Sequence, residues 1–307
     1  MTDEMRAICM GVHVLDVLVR PVEEIPEGQG GQLVEEIRIT AAGSAGGAAI
    51  TLAKLGASVR SAGAIGTDAV GDMLLALLER DGVDTSLVVR RDDVRTSASV
   101  LPIRPSGERP AFHVVGANGT YGPDDAPWEA IAEATHLHLG GPEFMGGEAA
   151  ARILAHAREQ GTVTSADVLA PGDPGLLEWI GPGLGELDYL LPNDEQVLGF
   201  TGADDLVEGC RALLERGVGC VAATKGAEGV VIVDADGAES VPAFEVEVVD
   251  TTGCGDAFSA GFLRGLSLGH DRTDAARLGC AAAALVAQGL GSDAGAFDLA
   301  AADELGE

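Results

Sequence analysis

The sequence predicts an α/β protein, a three-layer sandwich with a mainly parallel central sheet and a small β-sheet lid. Short apolar runs alternate with longer helical patterns along most of the chain, as in βαβ units. Two segments, residues 32–39 and 96–115, instead read as strands without crossover helices, and they predict the small sheet. With 307 residues, 46% of them hydrophobic, the chain can bury a substantial core, and we expect one domain over residues 1–307.

Individual elements follow from periodicity. Apolar runs predict strands at residues 7–15, 59–65, 136–139, 163–166, 189–191, 218–223 and 230–233. Helical spacing predicts helices at residues 45–55, 71–80, 148–159, 194–198, 206–216, 257–266 and 274–288. Gly56 and Gly82 stand where the first two helices should end. The lid is expected at about residues 18–40 and 96–116, with a turn at 105–109, and the acidic tail from Ser292 is expected to fray.

Amino-acid composition excludes several classes of function. The net charge is −30, and only two of the 19 basic residues are lysines, so nucleic acid and anionic lipid surfaces are unsuitable partners. The five cysteines are scattered and form no CxxC pair, which favours a reducing, cytoplasmic location over a disulfide framework or structural zinc. We find no secretory signal and no apolar run long enough to span a membrane. An anionic substrate would need a local basic or dipolar site.

Polar residues directly follow several of the apolar runs. If the strands are parallel, these residues meet at one rim, where open α/β sheets bind ligands. The residues are Asp16, Asp167, Asn193, Thr224 and Asp250.

Residues 250–258 carry the most specific chemical signal. They follow an apolar run and open a helix, and they place Gly253 and Gly255 one residue apart. A threonine N-cap with Asp256 in the first turn would explain the polar residues. It would not explain two glycines, each of which costs about 1 kcal/mol in a helix relative to alanine. Amides facing an anion explain them better, and Asp256 beside a phosphate could accept the proton of an acceptor hydroxyl.

This motif resembles the signature D-T-x-G-A-G-D of the PfkB, or ribokinase-like, carbohydrate kinase family, and the likeness covers nearly the whole chain. Other segments are similar to the family's opening strand, glycine-rich first helix, I-G-x-D-x-x-G element, N-x-x-E motif and T-x-G-x-x-G nucleotide loop; they are residues 11–16, 42–56, 65–71, 193–196 and 224–229. The resemblance implies a ribokinase-like fold and ATP-dependent phosphorylation of a sugar or nucleoside hydroxyl, with Mg²⁺.

The resemblance also implies roles for residues. It makes Asp256 the catalytic base, with an anion hole formed by Gly253, Cys254 and Gly255. It implies that Asp16 and Gly43 contact the substrate and that a K⁺ ion binds in the loop of Asp250 and Thr252. The residues implied to contact the nucleotide are Asn193, Thr224, Gly226 and Gly229. The lid of such proteins often forms a dimer clasp, which implies a homodimer.

The sequence departs from the family pattern at positions that contact the substrate and the nucleotide, while the catalytic motif is intact. Gly47 replaces an Asn that binds sugar hydroxyls, which puts a ribose or fructose substrate in doubt. Gln196 replaces the Glu of N-x-x-E, which would weaken the hold on Mg²⁺, and the neighbouring Asp194 and Glu195 are expected to point elsewhere. Cys280 replaces an Asn near adenine.

Two other function classes remain open at this point. One is a non-catalytic relative that binds sugars or nucleosides as a sensor, which the changes at Gly47 and Gln196 favour and the retained Asp256 opposes. The other is a serine hydrolase, because residues 265–269 match G-x-S-x-G around Ser267, although the pattern ends a helix instead of following a strand. His136 and His138 share a strand face without a third metal ligand nearby.

Overall fold

The computed structural model describes residues 5–106 and 108–306. Its strands, in chain order, are β1 (Arg6–Gly11), β2 (Val14–Arg20), β3 (Glu36–Ala42), β4 (Ser58–Gly66), β5 (Asp84–Arg91), β6 (Ala98–Pro102), β7 (Phe112–Val114), β8 (His136–Gly140), β9 (Val163–Asp167), β10 (Tyr189–Leu190), β11 (Cys220–Thr224), β12 (Val230–Val233) and β13 (Ala238–Val241). Its α-helices are α1 (Ser44–Lys54), α2 (Ala69–Arg80), α3 (Trp128–Glu133), α4 (Gly147–Glu159), α5 (Pro174–Leu184), α6 (Asp194–Thr201), α7 (Leu206–Glu215), α8 (Cys254–Ser267), α9 (Arg272–Ala287) and α10 (Leu299–Gly306).

The central sheet has nine strands in the order β13-β12-β11-β10-β9-β8-β1-β4-β5. All pairs from β5 to β11 are parallel, whereas β12 and β13 pair antiparallel. Successive residues of β1 face opposite layers: Ile8 packs in the core that contains α4 and α5, and Cys9 packs in the core that contains α1 and α8. Helices therefore cover both faces, and the predicted α/β architecture with a separate small sheet is confirmed.

Backbones approach closely in the layer of α8 and α9. A Cβ atom on Gly261 would lie 2.7 Å from the Cα of Gly279, and one on Gly265 would lie 2.7 Å from the Cα of Ala275. Glycine and alanine thus let the two helices pack backbone to backbone, which is how a chain with 4% aromatic residues fills this layer.

The small sheet consists of β3, β2, β6 and β7 in that order. The run at residues 7–15 was predicted as one strand, but it divides between β1 and β2, and Asp16 lies inside β2 instead of ending a central strand. One register row crosses all four strands with polar side chains: Thr40, Asp16, Ser99 and His113. The neighbouring row, on the opposite face, is apolar: Ile39, Val17, Val100 and Phe112.

Some sequence predictions were wrong. Asp250 was expected to follow a strand at the rim, but residues 246–249 form no strand; the amide of Val249 donates to the carbonyl of Ala287 at 2.8 Å. The tail does not fray, because Asp293 is buried and residues beyond it form α10. Helix α5 and strand β5 were missed.

The first two helices end at glycines. Gly56 and Gly82 have φ values of 79° and 86° at the ends of α1 and α2, as expected for helix-terminating glycines. The turn predicted at 105–109 includes Gly107, which lies outside the described residues. Among the helices that are described, none is both long and apolar enough to cross a bilayer.

Candidate active site

A cleft of about 1230 Å³ separates the inner face of the small sheet from the rim of the central sheet. It is lined by most of the residues predicted to bind or react: Asp16, Gly43, Asn193, Thr224, Gly226, Gly229, Thr252, Gly253, Cys254, Gly255 and Asp256. The sheet topology brings them together from positions up to 240 residues apart, counted from Asp16 to Asp256. Asp250 does not line the cleft and lies behind it.

Helix α8 begins at the floor of the cleft without a side-chain cap. Its N-cap is Gly253, in a left-handed conformation with φ 80°, so the alternative of a threonine cap is wrong. A Cβ atom on Gly253 would lie 2.6 Å from Ser292, whereas one on Gly255 would meet nothing within 4 Å. Gly255 is therefore not required by packing within the protein, and it leaves the first-turn amides open to the cleft, where the helix dipole favours an anion.

Asp256 lies in the first turn of α8, near the carboxylates of Asp167 and Asp16. Burial raises its pKa well above the ordinary range, and the negative charges of Asp167 and Asp16 add to this, while Arg109 opposes it. The side chain of Asp256 also fits closely against α1: a Cβ atom on Gly47 would lie 2.3 Å from Oδ2 of Asp256. Gly47, seen in the sequence only as a missing Asn, is the residue that leaves room for this carboxylate.

Asp16 and its neighbours on β2, β6 and β7 form a polar wall of the cleft. Burial raises the pKa of Asp16 to about 6, although Ser99 and Arg109 act in the opposite direction. The hydroxyl of Ser99 also lies 3.0 Å from Nδ1 of His113, so Ser99 stands between Asp16 and His113 in one polar row of the small sheet. His113 was missed because its strand is only three residues long and weakly patterned.

Arg109 is the second residue that the sequence did not reveal. It lies between β6 and β7, and its Nη1 donates to Oγ1 of Thr252 at 2.8 Å, across the cleft. Among the described residues that line the cleft, Arg109 is the only arginine or lysine. The loop of the small sheet thus brings a positive charge to the start of α8, in a protein whose net charge is −30.

Asp250 and Thr252 form a closed loop beneath the helix start. One carboxylate oxygen of Asp250 accepts hydrogen bonds from the amide and hydroxyl of Thr252, at 3.1 and 2.9 Å. The other accepts from the amide of Gly291 at 2.9 Å. Asp250 is 5% exposed and belongs to none of the ion pairs of the described residues. Both of its oxygens accept hydrogen bonds, but Oδ2 accepts only one and can make a further contact.

The opposite end of the cleft is built from the ends of β10 and β11. Asn193 and Thr224 form a parallel bridge, and the turn of residues 226–229 is closed by the amide of Lys225 donating to the carbonyl of Gly229 at 2.7 Å. Apolar residues from the extended segment before Asp250 and from α9 line this end; they include Phe244, Val246, Val248, Cys280, Ala283 and Ala284. The mixture of loop amides and apolar surface suits a purine nucleotide.

Gln196 has a structural role that a glutamate could not fill. Its Oε1 accepts from the amide of Asn193 at 2.9 Å, completing a capping box at the start of α6. Its Nε2 donates to the carbonyls of Val168 and Ala170, at 2.7 and 3.0 Å. The acidic residues beside it, Asp194 and Glu195, were expected to point elsewhere but line the cleft.

Neither Ser267 of the G-x-S-x-G pattern nor the pair His136 and His138 lies in an arrangement that would suit catalysis or metal binding. Ser267 is the last residue of α8, and its hydroxyl donates to the carbonyl of Arg264 at 2.7 Å, so it does not stand on a strand-to-helix elbow. His136 is held by Thr135, and His138 by Ser165 with Asp167 at 3.7 Å. No grouping of three or more His, Cys, Asp or Glu side chains suited to a metal occurs in residues 5–106 and 108–306.

Comparison with known proteins gives consistent matches over most of the chain. Residues 7–297 match the model of the pfkB family carbohydrate kinases. An uncharacterized sugar kinase of Archaeoglobus fulgidus is 30% identical over 74% of this chain and 90% of its own. An ATP-dependent ribose-1-phosphate kinase of Halopiger xanaduensis is 30% identical over 84% of each chain. The fold superposes with a TM-score of 0.85 on Arabidopsis thaliana ribokinase in complex with ribose and ATP, which is 21% identical and covered over 99% of each chain.

Proposed function

The chain belongs to the pfkB family of carbohydrate kinases and is an ATP-dependent kinase of a carbohydrate or nucleoside hydroxyl, and we propose that Asp256 is the base of this reaction. The resemblance drawn from the motifs is confirmed by the family match. One observation carries the assignment of the base: the uncapped start of α8 opens into the cleft with Asp256 in its first turn. A phosphate held on those amides would lie beside the carboxylate.

In this proposal the acceptor hydroxyl lies between Asp16 on the small sheet and Asp256 at the start of α8. Asp16, with Ser99 and His113 beside it, binds hydroxyls of the acceptor, and Gly43 allows the acceptor to approach the start of α1. Asp256, when ionised, takes the proton of the attacking hydroxyl. The amides of Gly253, Cys254 and Gly255 stabilise the charge on the phosphoryl group as it is transferred.

Arg109 adds a positive charge that the family motifs do not provide for. We propose that it moves from Thr252 to the transferred phosphoryl group when the small sheet, acting as a lid, closes over the acceptor. Closure would also exclude water, which otherwise competes as acceptor.

ATP occupies the other end of the cleft in this proposal. Asn193, Thr224, Gly226 and Gly229 contact the nucleotide, and its base lies on the apolar surface that includes Cys280. Mg²⁺ neutralises the phosphates of ATP, and the carboxylates of Asp194 and Glu195 are the groups that would hold it through water.

A monovalent cation fits the loop beneath α8. The buried carboxylate of Asp250 has no cationic partner among the described residues, and one of its oxygens can still accept. We propose that K⁺ binds here with oxygens of Asp250 and Thr252.

The outer face of the small sheet supports a homodimer. Five apolar side chains on this face are more than 40% exposed: Ile37, Ile39, Val100, Phe112 and Val114. They form one surface across three strands, and a second copy of the same surface would cover it by a two-fold axis. We also propose a reducing, cytoplasmic location, which the five unpaired cysteines support.

The decisive experiment measures ADP release with a panel of sugars, sugar phosphates and nucleosides, for the wild type and for Asp256→Asn. We expect one acceptor class to stimulate the wild type and the variant to lose at least about 100-fold in kcat, as for removal of a general base. Calorimetry should show that the variant still binds ATP and acceptor. Equal ADP release by both proteins would overturn the assignment of Asp256, and binding without turnover by the wild type would favour the sensor.

A further inference from the structure

Lys54, one of two lysines in the chain, is enclosed by backbone carbonyls. It is the last residue of α1, and its Nζ donates to the carbonyl oxygens of Asp293, Ala294 and Gly295 at 2.8, 3.0 and 2.7 Å. The ring of Phe297 lies beside it, with 5.0 Å from Nζ to the ring centroid. All three ammonium hydrogens are therefore used, and none of the acceptors is a side chain.

The carbonyls belong to residues 290–295, which we call the junction segment. Its amide at Gly291 donates to Asp250 at 2.9 Å, on the side opposite the bonds from Thr252. The next residue, Ser292, packs closely against Gly253: a Cβ atom on Gly253 would lie 2.6 Å from the Cα of Ser292. The junction segment is thus the surface on which the turn at the start of α8 rests.

The junction segment also contacts the small sheet. The carboxylate of Asp293 binds Arg38 of β3 at 2.8 Å and Arg80 of α2 at 2.7 Å. Leu290 packs against Leu18 of β2. These contacts attach one side of the segment to the small sheet and to α2, and Lys54 attaches its backbone to the end of α1.

We propose that Lys54 is a positioning residue for phosphoryl transfer: its ammonium acts as a tethered cation that fixes the junction segment and, through it, the amides at the start of α8. The inference rests on the proposed role of those amides in binding the transferred phosphate. Carbonyl oxygens replace the hydration shell of small monovalent cations, so the group of three that surrounds Lys54 matches an ammonium ion. Burial lowers the pKa of Lys54, while Asp81 and Asp293 act in the opposite direction.

Lys54→Met removes the ammonium and keeps most of the apolar stem. Because the transition state depends on the placement of the amides, we expect kcat to fall at least about tenfold while KM for the acceptor changes little. Ammonium chloride should restore much of the lost kcat by filling the vacated carbonyls, and tetramethylammonium chloride at equal ionic strength should not. All assays contain constant K⁺, and the wild type is measured in the same salts.

Arg264→Met is the matched control. Arg264 also donates to a carbonyl at the end of α1, Leu55, at 3.0 Å, but it does not contact the junction segment. Its loss should leave kcat nearly unchanged and confer no response to ammonium. If Lys54→Met does not fold, Lys54→Gln, whose amide can donate to two carbonyls, is measured in the same way.

Hydrogen exchange provides a readout that needs no turnover. In Lys54→Met the amides of Gly291 and of residues 253–256 should exchange faster than in the wild type, and ammonium should restore protection. Unchanged exchange, or a loss of kcat that ammonium does not reverse, would overturn the inference. If the wild type phosphorylates no acceptor, the proposed function fails, whereas exchange still decides the role of Lys54.

Discussion

Asp16 is held in the folded protein where its charge is unfavourable. Its pKa rises from 3.8 to about 6, mainly because it is buried, and the protonated form is therefore favoured by folding. Between these two values the folded state binds more protons than the unfolded state, so stability falls as pH rises through this range. Above it, the ionised carboxylate lowers the free energy of unfolding by up to about 3 kcal/mol, as about two pKa units imply. If Asp16 binds hydroxyls of the acceptor as proposed, the protein loses stability in exchange for a carboxylate at the site.

Asp16→Asn should therefore stabilise the protein and impair it. We expect the free energy of unfolding at pH 8 to rise by about 1–3 kcal/mol. The gain should shrink to a fraction of this at pH 4, where the wild-type carboxyl is protonated in the folded state and partly protonated in the unfolded state. KM for the acceptor should rise. Urea denaturation at both pH values tests this, with the exposed Asp124→Asn as control. A gain of the same size at pH 4 would contradict the electrostatic explanation.

Two adjacent glycines in α1 allow a test of whether the proposed base, Asp256, must keep its position. Gly47→Ala would place a Cβ atom 2.9 Å from both Cβ and Cγ of Asp256, so the carboxylate must move. We expect kcat to fall about 100-fold, which a displacement of about 1 Å can cause. Gly46→Ala is the matched control, because its nearest neighbour is Cδ2 of His13 at 3.6 Å, an ordinary contact.

Both substitutions gain about 1 kcal/mol of helix propensity, so a general effect on the helix would appear in both variants. Steady-state kinetics and thermal unfolding of the two variants separate the effects. Full activity of Gly47→Ala would show that Asp256 does not need its present position.

At the scale of elements, α6 shows why a sequence departure can be misread. Gln196 looked like a lost carboxylate, yet it joins the start of α6 to the carbonyls of Val168 and Ala170, just beyond β9. Only an amide can donate both bonds and still accept from the amide of Asn193. The residue therefore fixes the loop after β9 against the cleft.

Gln196→Glu should not improve the enzyme. The carboxylate would face two carbonyl oxygens in a buried position, and we expect a loss of at least about 2 kcal/mol in the free energy of unfolding. Glu195→Gln, its neighbour, is exposed and should keep the stability but raise KM for MgATP. Chemical denaturation and kinetics at varied Mg²⁺ distinguish the two positions. Tighter Mg²⁺ binding by Gln196→Glu would contradict the structural role.

At the scale of the whole molecule, the apolar outer face of the small sheet remains exposed to solvent in the monomer. Phe112 is 61% exposed on the outer face of the small sheet, among other apolar side chains. Single exposed apolar residues are ordinary on protein surfaces, whereas a continuous set across neighbouring strands is typical of an interface. In a protein with a net charge of −30, self-association is least opposed at a surface that carries no negative charge.

Phe112→Asp should convert a dimer into a monomer. We expect the wild type to sediment as a dimer and the variant as a monomer at micromolar concentration, because two copies of the new carboxylate would face each other near the two-fold axis. Met73→Asp on α2, which is 45% exposed outside the small sheet, should leave the mass unchanged. A monomeric wild type would exclude the homodimer.

The sequence by itself determined the α/β class, most of the helices and strands, and the motif that opens α8. These depend on local periodicity and on glycines whose conformations few other residues adopt, so they can be read within a short window. The family of kinases followed from the same motifs.

Only the tertiary structure decided how Gly47, Arg109, Gln196 and Lys54 act. Each of them meets a partner distant in the chain: Asp256 for Gly47, Thr252 for Arg109, the loop after β9 for Gln196, and the junction segment for Lys54. Contacts between distant segments follow from sheet order and from the approach of backbones, and neither quantity has a local pattern in the sequence.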